Sequence, residues 1–509
     1  MTSPTGHAYA TTTARLERLT SRILAHGWGA AVGLAAAWGA AAGLLTPRSP
    51  QTTAAALTSI AVSLVVGVAA GVLTRSRWAL LVAPVVFAVA FEIVRMPLDG
   101  PTVDAPHLST YGVFAFVVGR GFHALLSLLP MAVGAALGAF ALARRDGHFP
   151  AGCGRSVLRW TAVTASVALV AGVTIAVGRP SSTAPITTAD GTPVAGSITE
   201  LTSIDANGHE LGLMIRGRDT DNPVLFFLAG GPGGSELGAM RNHLSGLEEH
   251  FTVATLDQRG AGTSYPALDP RDTYTLQSAI ADTIATTNYL RKRFSVDRVV
   301  LVGQSWGTIL GVLTVRSEPA LYSALVGVGQ MVSPVETDRI FYTDTLAWAR
   351  EQGQGALATE LQKIGPPPYT SMLDYETTLS SEQEVYPYDH TGNSEGAGGF
   401  SENFLVPEYT LVDQVHMLAG FMDTFGAFYP KIQDVDLRRD APTLGVPVFF
   451  VEGAHEAPGR SRPFAQWYAQ LNAPAKETVV FDRSGHRPLF EQPDEFVDFM
   501  TTHVQPVIR

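Results

Sequence analysis

Cysteine is nearly absent: 509 residues carry one, Cys153. A single thiol excludes a disulfide framework, and everything after residue 180 lacks thiol chemistry altogether. No His-Glu-x-x-His and no cluster with metal-ligand spacing occurs, so no metal is expected. Gly231-Pro232-Gly233-Gly234 lacks the spacing of a dinucleotide loop and is not followed by Gly-Lys-Ser/Thr, so no nucleotide cofactor is expected either. Lysine is missing from residues 1–180, where thirteen Arg stand against five acids, a net of +8. The remaining 22 basic and 41 acidic residues give −19, which the overall charge of −11 conceals. So acidic a C-terminal part argues against a nucleic-acid partner.

What the first third does have is long apolar runs, at residues 23–45, 54–73, 78–94, 122–143 and 160–177. Each is long enough, or nearly so, to cross a bilayer as a helix. Five such runs exclude a lone cleaved signal peptide. Nine arginines flank one side: Arg15, Arg18, Arg22, Arg75, Arg77, Arg144, Arg145, Arg155 and Arg159. Four flank the other: Arg48, Arg95, Arg120 and Arg179. The positive-inside rule places the N-terminus in the cytoplasm of a multi-pass cell-membrane protein, and five spans place the rest of the chain outside. Cys153 then falls in a cytoplasmic loop. Glu92 and Arg95 read as an ion pair at headgroup level. Residues 111–118 are apolar but too short to span, hence re-entrant or interfacial. A Pro/Ser/Thr-containing linker covers residues 180–195.

Residues 196–509 alternate between strand and helix patterns. Residues 197–203 and 210–216 form a hairpin about Asn207-Gly208. Buried strands follow at 224–228, 252–256, 298–302, 324–328, 446–452 and 478–481. This is a mostly parallel sheet with helices on both faces. Strand signals lapse between about 333 and 439, where helix-like pattern, aromatics and loop signals such as residues 392–399 imply an inserted helical cap.

Between the strand at 298–302 and a helix from Thr308 stands Gly303-Gln304-Ser305-Trp306-Gly307. A serine at so sharp a turn exposes its hydroxyl above the sheet, and the glycines remove clashing side chains. An acyl-transfer serine also needs a base, an acid and oxyanion donors. In this architecture they arrive in the order Ser, acid, His, each on a loop after a strand. Glu456 follows the strand at 446–452, and His486 follows that at 478–481. His455 comes one strand early for the base. Asp482 reads as a surface residue and Glu452 as structural. The Trp306 N–H and a donor from the loop after residue 228, Gly231 with Gly230 in reserve, would make the oxyanion hole. Asp257, Arg259 and Ser264 read as loop braces.

Ala229-Gly230-Gly231-Pro232-Gly233-Gly234, Asp257-Gln258-Arg259-Gly260-Ala261-Gly262-Thr263-Ser264 and Gly303-Gln304-Ser305-Trp306-Gly307 together resemble the prolyl aminopeptidase (proline iminopeptidase) branch of the α/β hydrolases. The resemblance covers about residues 196–507. It implies an α/β-hydrolase fold with a helical cap, Ser305, His486 and Glu456 as triad, and no cofactor. This chain has Ala229 where the branch usually has His, and Glu456 where it usually has Asp. The branch also implies cap carboxylates for a substrate's free amino group; Glu336 and Asp338 stand at the cap start. The expectation is therefore a membrane-anchored serine hydrolase releasing N-terminal residues from short peptides. A carboxylic ester or thioester is the alternative substrate, and a ligand-binding membrane sensor the alternative role. The expected partners are a small peptide or ester and the lipid bilayer.

Overall fold

The computed structural model describes residues 27–145, 153–389 and 403–508. Arg15, Arg18, Arg22, the start of the first apolar run and the loop signals at 392–399 lie outside them. The chain divides into two compact units. The first holds residues up to Pro106 and Phe116–Arg179; the second holds Pro180–Arg509 together with His107–Ala115.

The first unit is helical: α1 (Gly27–Leu45), α2 (Thr53–Thr74), α3 (Ala79–Arg95), α4 (Leu129–Arg145) and α5 (Cys153–Val177). Among the described residues, three helical stretches are both long and apolar enough to cross a membrane: Gly27–Leu45, Thr53–Thr74 and Thr110–Ala143. Helix α3, at 17 residues, and the apolar part of α5, Thr161–Val177, fall short of that length. The stretch at 111–118 is no separate re-entrant segment. It continues through two π-helical turns, Val117–Gly121 and Ala124–Leu128, into one 34-residue helical run. Arg120 breaks the hydropathy there. The structure satisfies it with the carbonyl of Val103 at 3.0 Å and with Glu92 at 3.2 Å. Glu92 also pairs with the buried Arg95 at 2.6 Å.

Helices α2 and α4 approach through glycine. An added Cβ at Gly67, Gly71, Gly134 or Gly138 would lie 2.0–2.3 Å from a carbonyl oxygen of the facing helix. Small residues thus permit backbone-to-backbone contact between the two helices. The outward faces of these helices are apolar, with Leu34, Leu44, Val65, Leu81, Val85 and Ile93 exposed.

The second unit is built on one eight-stranded sheet: β1 (Ile198–Ala206), β2 (His209–Gly217), β3 (Val224–Leu228), β4 (Thr252–Leu256), β5 (Val299–Gln304), β6 (Tyr322–Val328), β7 (Val448–Gly453) and β8 (Lys476–Phe481), in the order β1-β2-β4-β3-β5-β6-β7-β8. The β1–β2 hairpin pairs antiparallel, as does β2 with β4; all other neighbours are parallel. Strands β3, β4, β5 and β7 are buried throughout, as continuous Val/Leu/Phe runs require when helices cover both faces. Their C-terminal ends all point to one edge, where the loops carrying Ala229, Asp257, Ser305 and Glu456 emerge.

Between β6 and β7 the described residues are helical, with no strand. This is the expected cap. It includes α8 (Pro334–Glu351) and α10 (Leu411–Phe428), in a numbering where α6 is Leu276–Phe294, α7 Trp306–Ser317 and α9 Glu382–Val385. The α10 region is latched to the sheet by three hydrogen bonds. Tyr409 donates to Asp257 at 2.9 Å, Tyr265 donates to Asp423 at 2.6 Å, and Thr424 donates to the Gly260 carbonyl at 2.7 Å. Asp257 is thus the brace expected; burial pushes its carboxyl up to about 6. Glu336 and Asp338 lie on the first turns of α8. Glu336 pairs with Arg438. The Asp338 carboxyl is shielded from solvent and accepts from the Tyr429 hydroxyl at 2.9 Å.

Two outcomes follow. Gly138→Ala should lower the thermal stability of the detergent-solubilised protein by about 1–3 kcal/mol through overpacking. Gly172→Ala, where an added Cβ meets nothing within 4 Å, should not. The second concerns Asp338. Burial pushes its carboxyl from 3.8 up to about 7, so between those pH values the folded chain holds a proton that the unfolded chain has released. Stability therefore falls as pH rises across that window and levels above it. Asp338→Asn cannot ionise, so its melting temperature should exceed wild type at pH 8 by the equivalent of up to about 4 kcal/mol. The gain should fade towards pH 4.

Candidate active site

Strand β5 ends and α7 begins within one residue. That residue, Ser305, has φ 54° and ψ −119°. A side-chain-bearing residue adopts such a conformation only when its neighbours enforce it. Here Gly303 lies against the backbone of Gly307, and Gly307 against the carbonyl of Leu228; an added Cβ would fall 2.3 and 2.2 Å away, respectively. The Ser305 N–H donates to Val328 at the end of β6 at 3.0 Å. The hydroxyl is thereby lifted above the sheet.

His486, in the loop after β8, meets it: Nε2 lies 2.8 Å from Ser305 Oγ. On its other side Nδ1 lies 2.6 Å from Glu456 Oε2, in the loop after β7. The three residues, separated by as much as 181 positions, thus form one hydrogen-bonded chain. The Glu456 side chain is 1% exposed, and its Oε1 takes the Arg460 Nε–H at 2.7 Å. Burial alone would raise this carboxyl, but Arg460 and then His486 outweigh it and hold it down at about 2. Glu456 is therefore ionised throughout the neutral range.

The alternatives fall elsewhere. His455 is exposed and stacks on Tyr388, with centroids 5.1 Å apart. Asp482 is 83% exposed. Glu452 is buried beneath the site and accepts from the Gln330 N–H at 2.9 Å.

The loop after β3 closes the other side. An added Cβ on Gly230 would fall 3.2 Å from that of Ser305, so this backbone runs directly past the candidate nucleophile. Gly231 is the loop's candidate donor opposite the Trp306 N–H, with Gly230 in reserve. Where the resembled branch has histidine, Ala229 is braced through its carbonyl by the Gln258 amide at 2.8 Å. Gln258 in turn accepts from the Trp306 indole at 3.0 Å.

Ser305 and His486 open into a cavity of about 300 Å³. Leu379, Met417, Phe421 and Phe425 of the cap give it an apolar wall, and Glu236, Glu382, Arg460 and Arg487 give it charge. Glu236 pairs with Arg487, and Glu382 with Arg460. Glu336 and Asp338 do not line it; their partners Arg438 and Tyr429 hold them elsewhere in the cap. Reading the sequence missed the charged lining. Arg460 stands four residues after Glu456, and Arg487 beside His486, both visible as local pattern. Glu382 had no such signal, since nothing local places a cap residue over a distant strand end.

Comparison with known proteins bears on the family of the chain. The profile of the alpha/beta hydrolase family matches residues 225–499. The "Probable aminopeptidase YbaC" of Bacillus subtilis is 28% identical over 316 residues, covering 62% of this chain and 98% of its own. A "Probable proline iminopeptidase" of Streptomyces coelicolor is 31% identical over 102 residues, 20% of this chain and 31% of its own. The crystal structure of the proline iminopeptidase of Mycobacterium smegmatis covers 61% of this chain and 99% of its own, at 18% identity and a TM-score of 0.42. The sheet order, the inserted cap and the family match over more than half the sequence together show that this chain belongs to the alpha/beta hydrolase family, with sequence similarity to its prolyl aminopeptidase branch.

Proposed function

We propose that this protein is a membrane-anchored serine hydrolase whose catalytic unit lies outside the cytoplasm and removes N-terminal residues from short peptides. The observation that carries the reading is the continuous Ser305–His486–Glu456 contact, at 2.8 and 2.6 Å. Ser305 Oγ attacks the scissile carbonyl as His486 Nε2 takes its proton. The developing oxyanion is met by the N–H groups of Trp306 and Gly231, each such donor supplying on the order of 3–4 kcal/mol. His486 returns the proton to the leaving amine, and Glu456 stabilises the imidazolium formed in between. Water, activated by the same imidazole, then releases the acyl group and restores Ser305. No metal or cofactor enters these steps.

For the peptide's free ammonium, Glu236 is better placed than Glu336 or Asp338. It lines the cavity, and its Oε2 is buried without a hydrogen-bond partner among the described residues. The names of the similar proteins support an aminopeptidase. One observation favours the second reading, an ester or thioester: both cavity carboxylates, Glu236 and Glu382, already have an arginine partner. A sensor without catalysis has less support, because the triad is assembled.

The membrane reading rests on the three long apolar helices and their exposed aliphatic faces; the arginine asymmetry adds to it only if α3 and the apolar part of α5 cross as well, as the five-span reading has them. So large an apolar surface is a liability in water and is covered in a bilayer.

Wild-type protein should react with a fluorophosphonate probe and cleave peptide arylamides with a free N-terminus, but not blocked ones. Ser305→Ala should abolish both, with hydrolysis falling on the order of a millionfold. Equal labelling of the two proteins would sink the triad, and turnover of esters alone would sink the peptidase. A phosphatase reporter joined after Arg179, active only when exported, should be active. Inactivity there, with activity of a cytoplasmic reporter at the same position, would reverse the topology.

A further inference from the structure

The acid of the triad sits between two basic side chains, and only one of them belongs to the triad. Glu456 Oε2 meets His486; Oε1 accepts from Arg460 Nε at 2.7 Å and from the Ala457 N–H at 2.8 Å. Arg460 lies in the first turn of the helix Pro458–Gln470, its side chain 7% exposed and its guanidinium 4.8 Å from the Phe341 ring centroid. The far end of that guanidinium, Nη2, pairs with Glu382 on α9 of the cap. The result is an unbroken line, Ser305–His486–Glu456–Arg460–Glu382, in which charge alternates from the imidazolium outward and which runs from the nucleophile into the cap.

A glutamate needs such help. It has one more rotatable bond than aspartate, so its carboxylate can swing out of line with Nδ1. Fixing one oxygen with a planar fork leaves the other aimed at the histidine. We propose that Arg460 is a positioning residue for the catalytic acid, and that its bond to Glu382 makes the orientation and the electrostatic pull of Glu456 depend on the seating of the cap. This rests on the triad reading above.

The electrostatics give the proposal a sign. A cation beside Glu456 weakens the carboxylate's hold on the imidazolium; Glu382 restores part of it by drawing on Arg460. Other groups face this line. Glu452 and Tyr388 act on Glu456, Glu236 and its partner Arg487 flank His486, and Asp338 and Tyr386 act on Arg460. The test leaves all of these in place.

The test is the rate of fluorophosphonate labelling of the full-length protein, followed from pH 5 to 9, because it reads Ser305 activation without a known substrate. Arg460→Met should move the acid limb of the profile to higher pH by about one unit, so that labelling at pH 6 falls about tenfold relative to labelling at pH 9. Glu382→Gln should move the limb the opposite way. Arg460→Lys keeps the charge but not the two-ended fork. Its limb should stay near wild type while its plateau rate drops severalfold. The double variant Arg460→Met/Glu382→Gln should match Arg460→Met, since Glu382 acts only through Arg460. Limbs that stay in place, or that move the same way in the two single variants, would overturn the proposal. Because Glu382→Gln removes no buried cation, it stands as a test even if Arg460→Met fails to fold. Wild-type protein that does not label at all would overturn the triad reading, and this one with it.

Discussion

The backbone of Ser305, at φ 54° and ψ −119°, costs a side-chain-bearing residue on the order of 1–3 kcal/mol. Much of the second unit can be understood as what holds it there. Parallel pairing of β5 with β3 and β6 fixes the strand. Gly307 lets the first turn of α7 press onto the end of β3, and the Ser305 N–H is tied to β6. Relaxing any of these would let the turn unwind and drop the hydroxyl towards the sheet. The same close contacts bring the glycine loop after β3 alongside the nucleophile, so one constraint both presents the serine and lays a line of backbone N–H groups beside it.

A second layer of polar bonds steadies that loop from outside. Gln258 bridges the Ala229 carbonyl and the Trp306 indole, and so ties the loops after β3, β4 and β5 together through one side chain. Asp257, its neighbour, reaches up to Tyr409 beneath the cap. The loop after β4 links the sheet edge to the cap, and it does so with buried groups whose hydrogen bonds must all be satisfied at once.

The site was legible wherever the signal was local. Ser305 could be read because strand, turn and helix are contiguous. Glu456 and His486 could be read because each stands a few residues past an apolar strand, in the order that a parallel sheet dictates. The glycine loop and the Asp257 brace announced themselves by composition. What could not be read depends on pairs distant in sequence. Glu382 meets Arg460 across 78 positions and Glu236 meets Arg487 across 251. Glu336 and Asp338 stand at the cap start, yet helix α8 carries them to Arg438 and Tyr429. In the first unit, the charge of Arg120 between two glycines split one helix into two apparent pieces, because hydropathy counts a charge without seeing the carboxylate and carbonyls that satisfy it.

The chain order of the site bears on how the enzyme comes into being. Ser305 and the glycine loop precede the cap, while Glu456 and His486 follow it. A chain growing from its N-terminus thus holds Ser305, and then the cavity wall, before it holds His486. Until β8 adds to the edge of the sheet and delivers its loop, Ser305 lacks its imidazole partner. On the proposed triad, the order of synthesis leaves the serine unassisted until the last strand has been paired.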